Sequence, residues 1–219
     1  VVTRALNDVT ASSFKATYLS PRWIGFKAGV SYTPEANQRS TDFDPDFSAP
    51  GLANADLEKV WEGALSFARR WPETGLLVRA AVTYSNAKSG SPLPAFGSYE
   101  AWGGGLELEQ GEWSGGLRWL SSNNAWESGN AGYDAWEAGL VHQGSEWRIG
   151  VEGGRSKNRL TGLEGTSWLV GASRKINQHL DVGVAWTSAA ADLPVLIGPS
   201  AGHTNASNGG LVLELTVRN

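Results

Sequence analysis

The stretch Trp23-Ile24-Gly25-Phe26-Lys27-Ala28-Gly29-Val30-Ser31-Tyr32 decides the fold. Every second side chain in it is apolar, and the residues between them are glycine, lysine or serine. Successive side chains of a β-strand point to opposite faces of a sheet. The stretch therefore predicts a strand with one apolar face and one polar face.

The same alternation recurs roughly eleven times along the chain, for example in residues 78–84, 113–119 and 211–218. The connections between these segments are alternately short and long. Short ones are predicted at residues 20–22, 72–75, 110–112, 143–146 and 175–178. Long ones, rich in Gly, Ser, Asn and Pro, are predicted at residues 34–59, 86–98, 121–132, 156–165 and 188–208.

This alternation of connection lengths separates two all-β architectures. A soluble sandwich does not require it. A transmembrane barrel has short turns on one side, longer loops on the other, an apolar outer band and a polar lumen. We therefore predict an all-β, transmembrane, antiparallel up-and-down β-barrel. A soluble all-β domain with a tryptophan-rich core is the alternative.

Composition and charge narrow the class of protein further. Only 41% of the residues are hydrophobic, and no apolar stretch approaches the ~20 residues that a transmembrane helix needs. A net charge of −4, without a basic stripe, argues against a nucleic-acid-binding surface. Cysteine is absent, which fits an oxidising compartment crossed without disulfides. No signal-peptide pattern opens the chain, so Val1 is expected to be a mature or truncated start.

Tryptophans stand near the predicted strand ends. Rings at such positions are typical of the aromatic belts at the two membrane–water interfaces. The candidates are Trp71, Trp113 and Trp147 beside short turns, and Trp61, Trp119, Trp136, Trp168 and Trp186 nearer the other end.

The stretch from Phe14 to Glu35 resembles Gram-negative trimeric porins, particularly their proteobacterial branch. In that family a strand ending in Tyr, Ser and Pro meets a short turn, and the next strand begins Ala-Gly-Phe and ends Ser-Tyr-Thr-Pro. The matching residues are Tyr18, Ser20, Pro21, Gly25, Phe26, Ser31, Tyr32, Thr33 and Pro34, with Ile24 in place of the usual Ala. Beyond this stretch the resemblance rests on strand pattern. The chain departs from it by ending at Asn219 instead of an aromatic residue.

The resemblance implies a barrel of roughly 16 strands, in which this stretch follows an inward-folded constriction loop and about five earlier strands. Residues 1–219 are therefore expected to form one β-barrel domain that lacks its N-terminal strands. A barrel of roughly 12 strands is the alternative. The position of the constriction loop stays open.

Charged residues on the polar faces of the strands are the predicted pore lining, since a diffusion pore acts on a solute through the field of its wall. They are Lys27, Glu62, Arg70, Arg79, Glu107, Arg118, Glu137, Arg148, Glu152 and Asp181. The resemblance implies that barrel-wall arginines face an acidic loop, and Arg79, Arg118 and Arg148 are the candidates. A balanced network of salt bridges that holds the barrel's shape is the alternative.

Other chemistries have weaker patterns. The acidic stretch from Asp42 to Asp46 resembles the start of a calcium loop but lacks the glycine and glutamate that complete it. His142, His179 and His203 have no zinc spacing and no nucleophile motif beside them. We expect no metal, no cofactor and no enzymatic activity, although a Ser and His pair meeting across strands stays open.

These observations predict an outer-membrane channel for passive diffusion of small hydrophilic solutes and ions in a Gram-negative bacterium. The expected partners are outer-membrane lipid, the solutes and two further copies in a homotrimer, as the resemblance implies; no nucleic acid is expected. A structural or adhesive outer-membrane barrel with a plugged lumen is the alternative.

Overall fold

The computed structural model describes residues 10, 13–36, 57–89, 97–125, 131–195 and 202–217. Within them the chain forms eleven strands: β1 (Ala16–Leu19), β2 (Phe26–Ala36), β3 (Leu57–Arg70), β4 (Leu77–Ser89), β5 (Ser98–Gln110), β6 (Trp113–Ser122), β7 (Tyr133–Gln143), β8 (Trp147–Asn158), β9 (Glu164–Asn177), β10 (Leu180–Val195) and β11 (Gly202–Val217). In these residues no helix is long and apolar enough to cross a membrane.

The strands form one sheet whose spatial order is the chain order, and each pairs antiparallel with the next. The predicted all-β, up-and-down architecture is thereby confirmed. Among the described residues β1 and β11 are the two edges, so the sheet is open.

The two faces of the sheet differ in the way the alternation predicted. One, the tryptophan face, carries Trp102, Trp119 and Trp136, and the other, the charged face, carries Arg79 and Arg118. Large apolar side chains on the tryptophan face are exposed, as with Leu117 at 50% and Val151 at 40% of their surface. A soluble sandwich would bury them, because burial of apolar surface is what stabilises its core. This face therefore suits contact with lipid.

A small apolar cluster is buried at the long-connection end of the charged face. It includes Val60, Ala87, Tyr99, Ala101, Leu120 and Ala135, each no more than 7% exposed. The partly buried Tyr133 packs against it. The charged face is therefore covered at its long-connection end and accessible to solvent toward its short-turn end.

The predicted long connection at residues 188–208 is wrong over most of its length. β10 and β11 pair continuously from Leu180 with Val217 to Val195 with Gly202. The pattern missed this extension because its Ser, Ala and Asn residues give neither face an apolar character. Backbone pairing needs no apolar side chain, so a strand can extend beyond its apolar band. β8 and β9 likewise extend to Asn158 and Glu164.

The turn before β2 contains the unusual backbone of this fold. Trp23 and Phe26 exchange two hydrogen bonds of 2.8 Å, and the residues between them both have positive φ, +49° for Ile24 and +92° for Gly25. Two-residue hairpins of this kind favour Asn and Gly. The Ile24 backbone is therefore strained, since β-branched residues rarely adopt this conformation.

Replacing Gly25 should destabilise this turn. A Cβ in Gly25→Ala would lie 3.0 Å from the Ala68 carbonyl oxygen, and the left-handed backbone would add strain. We expect the free energy of unfolding to fall by about 1–3 kcal/mol. Ile24→Asn should instead raise it by about 1 kcal/mol, because Asn tolerates positive φ. Urea unfolding of the detergent-folded protein, followed by tryptophan fluorescence, measures both, and an unchanged midpoint for Gly25→Ala would contradict the argument.

Candidate functional site

All ten predicted pore-lining residues lie on one face of the sheet. The register links them from strand to strand, since Lys27 pairs with Ser66, Arg79 with Glu107, and Arg118 with Glu137. Alternation along each strand extends this assignment to Glu62, Arg70, Arg148, Glu152 and Asp181. The register shifts at two places, between Glu58 and Trp61 and between Leu180 and Asp181, and both lie near strand ends. Strand pairing thus assembles on one surface charges that are widely separated in the sequence.

A first network of ion pairs lies near the short-turn end of β3, β4 and β5. Arg79 binds Glu107 at 2.6 Å, and Arg70 binds Glu109 at 2.7 Å. A further contact of 3.9 Å between Arg79 and Glu109 joins the two pairs. Both arginine side chains are about half exposed, 52% for Arg70 and 48% for Arg79, so their charges stay accessible to solvent.

A second network lies further across the sheet, on β6, β7 and β8. Arg118 Nε contacts Glu137 at 2.5 Å, and its terminal nitrogen approaches Glu152 at 3.6 Å. The Glu137 side chain is only 10% exposed, whereas Arg118 is 50% exposed. The guanidinium therefore neutralises a nearly buried carboxylate on one side and faces solvent on the other.

Small residues lie between the two networks. Gly105, Gly116 and Gly139 line a groove of about 520 Å³, together with Arg79, Arg118, Glu107, Glu137 and Glu152. A side chain on Gly116 would lie 3.1 Å from the Leu106 carbonyl oxygen. Bare backbone thus leaves the arginine side chains room to lie across the sheet, and leaves water room above them.

The polypeptide ahead of β1 also contacts the charged face. The Thr10 hydroxyl donates a hydrogen bond of 2.6 Å to Glu62, which also accepts one of 2.9 Å from Ser31. Lys15 donates to the Thr10 hydroxyl at 3.1 Å, and Thr10 is 1% exposed. Glu62 thereby ties a residue far away in sequence to the surface that carries the ion pairs.

The other predicted charges stand apart from both networks. Among the described residues, no carboxylate lies within ion-pair distance of Lys27 or Arg148. Asp181 lies at the short-turn end as the register partner of Lys175. Arg148 is thus on the same face as Arg79 and Arg118 but does not join them.

The predicted interface tryptophans lie on the opposite face at two levels. Five of them lie toward the long connections and are 40–58% exposed, namely Trp61, Trp119, Trp136, Trp168 and Trp186. The other three lie at the short-turn end, where Trp113 and Trp147 begin strands and Trp71 follows the end of β3. Trp119 and Trp136 are direct register partners. Trp168 covers Gly153, where a Cβ would lie 2.5 Å from its ring. These rings therefore lie flat against neighbouring strands.

The predicted site residues did not include three residues that contribute to these two faces. Trp102 belongs to the upper tryptophan level and packs on Tyr84 with ring centroids 4.5 Å apart. Glu109 bridges Arg70 and Arg79. Strand alternation could have identified both. Thr10 could not have been found, because its contact with Glu62 depends on the path of the chain ahead of β1.

The predicted calcium-like stretch, Asp42 to Asp46, lies outside the described residues. Within the residues that are described, no group of three or more His, Asp or Glu side chains is placed to hold a metal ion. His142 packs against Trp113 on the tryptophan face, with the ring centroids 4.6 Å apart and the ring planes tilted by 38°.

Comparison with known proteins identifies the family. The family description of Gram-negative porins matches residues 2–192. The chain belongs to this porin family. No curated protein sequence matches it. Membership places the protein in the outer membrane of a Gram-negative bacterium, as predicted.

Solved structures share the fold of this porin. An anion-selective porin from Comamonas acidovorans has a TM-score of 0.55 at 14% identity, covering 93% of this chain and 58% of its own. OmpT, an outer membrane protein of Vibrio cholerae, has a TM-score of 0.50 at 13% identity, covering 91% of this chain and 64% of its own. The chain thus spans about three-fifths of each.

Removing the Arg118 guanidinium should destabilise the protein, because this cation neutralises the Glu137 carboxylate. Arg118→Gln leaves a nearly buried carboxylate without its cation, and we expect a loss of about 1–3 kcal/mol in unfolding free energy. Arg79→Gln should cost no more than about 1 kcal/mol, because Glu107 is half exposed. Adding Glu137→Gln to Arg118→Gln should restore most of the loss. Urea midpoints in detergent measure all three, and equal losses for the two arginine variants would refute this account.

Proposed function

We propose that this porin forms a water-filled channel through which small hydrophilic solutes and ions diffuse passively. The observation that carries the proposal is the division of the sheet into two faces. Half-exposed arginines and glutamates occupy one, and exposed Leu, Val and Trp side chains occupy the other. Charged side chains are costly against lipid but compatible with a wet lumen. The charged face is accordingly the proposed pore wall.

The ten predicted residues would line that wall, with Arg79, Arg118 and Arg148 as its cations. Two of these arginines hold paired glutamates while staying half exposed, so they would shape the field felt by a passing ion. The same contacts would also stiffen the wall. One set of residues would thus both line the channel and hold the shape of its wall. Neither role requires a catalytic group.

Thr10 is a proposed point at which the channel is narrowed. It lies on the charged face, bonded to Glu62, immediately ahead of the stretch that resembles porins. The resemblance implies a constriction loop somewhere ahead of that stretch and does not fix its position. Glu62 would anchor Thr10 to the wall.

Closure into a barrel follows from the environment proposed for the sheet. Unpaired backbone groups at the edges of β1 and β11 are not tolerated in hydrocarbon. We propose that these residues are one β-barrel domain without its N-terminal strands, that further strands of the same porin close a barrel of roughly 16 strands, and that three copies assemble in the membrane.

One observation favours the second candidate, a structural barrel with a plugged lumen. Tyr99, Ala101 and Ala87 are buried at 3% or less on the charged face, so its long-connection end is covered. A cover that spans the whole lumen would block diffusion, whereas a partial one would only narrow the pore.

Planar-bilayer recording of the full-length protein separates the two candidates. A channel should give stable conductance steps, and Arg118→Gln should shift the permeability ratio toward cations by roughly twofold, because a unit charge about 8 Å from an ion in water contributes ~0.5 kcal/mol. Arg174→Gln is the matched control, since Arg174 lies on the tryptophan face and should leave selectivity unchanged. Absence of conductance from folded protein would favour the plugged barrel. Equal shifts in both variants would refute the assignment of the pore wall.

A further inference from the structure

The connection between β6 and β7 leaves the sheet with an unusual backbone. Asn124 and Ala125 are consecutive residues with positive φ, +54° and +57°. Asparagine tolerates this left-handed conformation, whereas alanine adopts it only with strain. Strained backbone persists where the surrounding contacts fix it, and it is concentrated at functional sites. The contacts of this segment therefore indicate what it does.

The chain turns onto the charged face at this point. Ala125 is 4% exposed and belongs to the buried apolar cluster that contains Leu120 and Ala135. Those two residues are register partners, one residue pair beyond Arg118 and Glu137 on the same face. One such step along a strand face is about 6–7 Å. Ala125 thus lies over the charged face, close to the second network of ion pairs.

The Asn124 side chain joins the chain that leaves β6 to the chain that returns to β7. Its amide nitrogen donates to the Ala131 carbonyl oxygen at 2.6 Å and to Asn158 Oδ1 at 3.3 Å. Its Oδ1 accepts a hydrogen bond of 3.4 Å from the Ser122 hydroxyl. Asn124 and Ala131 are only 8% and 4% exposed. Losing buried hydrogen bonds is costly, because the freed groups stay without partners.

Two further asparagines connect this contact to the neighbouring strands. Asn123 Oδ1 accepts from the backbone nitrogens of Glu100 on β5 and of Ala125, at 2.9 and 3.0 Å. Asn158, at the end of β8, accepts from the backbone nitrogen of Leu160 at 3.0 Å. We call Asn123, Asn124 and Asn158 the asparagine clamp. It ties both described ends of the connection to β5 on one side and to β8 on the other.

The clamped residues lie at the end where solutes would enter from outside. Long connections of an outer-membrane barrel are on its extracellular side. A solute moving toward Arg118 from that side would pass Ala125 and Ala131, which the clamp holds over the charged face. The narrow points of a water-filled pore set its conductance and the largest solute that passes.

We propose that Asn124 is a positioning residue that limits the width of the channel at its long-connection end. Its side chain does so by holding Ala125 and Ala131 over the charged face. This inference rests on the proposed channel function. It concerns the size of the solute and not its charge, since asparagine is neutral and the arginines of the wall are untouched.

Planar-bilayer recording of the full-length protein tests the width. Asn124→Gly accommodates the positive φ and removes the side-chain hydrogen bonds. We expect its conductance step to grow by roughly half, because conductance rises with the open cross-section of a pore. Larger polyethylene glycol molecules should then enter the pore and lower its conductance. The permeability ratio of anions to cations should stay at its wild-type value.

Asn86→Gly is the matched control. Asn86 lies at the same end of the sheet but on the tryptophan face, as the register partner of Trp61, and its amide donates to the Tyr99 carbonyl oxygen at 3.4 Å. This variant should leave the conductance step and the polymer size limit unchanged. Asn124→Asp is a second test variant, because an ionised Asp tolerates positive φ but cannot donate to Ala131. It should raise the polymer size limit as Asn124→Gly does.

Thiol labelling tests the clamp without measuring conductance. The chain contains no cysteine, so Ala135→Cys supplies a single thiol in the buried cluster that includes Ala125. A maleimide should label this thiol slowly in the otherwise wild-type protein in detergent. Adding Asn124→Gly should make labelling roughly tenfold faster, because loss of the clamp allows the cluster to open locally. Adding Asn86→Gly should leave the rate unchanged.

The outcomes separate this inference from the proposed channel. Absence of conductance from folded wild-type protein would refute the channel, and the inference with it. A conducting wild type whose step and polymer size limit are unchanged in Asn124→Gly would refute the inference alone. Unchanged labelling, or equal effects of Asn86→Gly, would also refute it. A larger step accompanied by an altered permeability ratio would assign the effect to the charged wall instead.

Discussion

Backbone pairing is the constraint on which the rest of this structure depends. Hydrocarbon offers no hydrogen-bond partner, so each strand must satisfy its N–H and C=O groups on its two neighbours. The sheet meets this requirement by pairing each strand with its neighbours in the chain. One row of paired residues runs across it from Lys27 on β2, through Ser66, Arg118 and Ser167, to Asn208 on β11. A slip of one residue would turn a whole strand over and place its charges against lipid.

The two faces of the sheet differ in how their side chains are solvated. The charged face pairs its arginines with glutamates while leaving them half exposed, which limits desolvation of either charge. The tryptophan face leaves apolar side chains outward and places indole rings near the strand ends, where one part of the ring meets lipid and another meets water. Glycines serve both faces: Gly116 leaves space beside the ion pairs, and Gly153 lets Trp168 lie flat.

A charged side chain on this sheet therefore has different surroundings on each face. Arg118 lies in the middle of a strand opposite a nearly buried Glu137 and stays half exposed. Arg155 lies on the tryptophan face, level with Trp136, and pairs with Glu164 at 2.8 Å. The same residue type is thus paired with a carboxylate on both faces.

The sequence by itself determined the strands and their faces, because a period of two is local and each strand carries it independently. It correctly placed Arg79, Arg118 and Glu137 on one face and Trp119 and Trp136 on the other. It could not identify the pairings that span several strands, such as Glu109 between Arg70 and Arg79, or the Thr10 contact with Glu62. It also missed the extension of β10 and β11, whose residues lack an apolar face. Those features depend on register and chain path, which only the assembled sheet specifies.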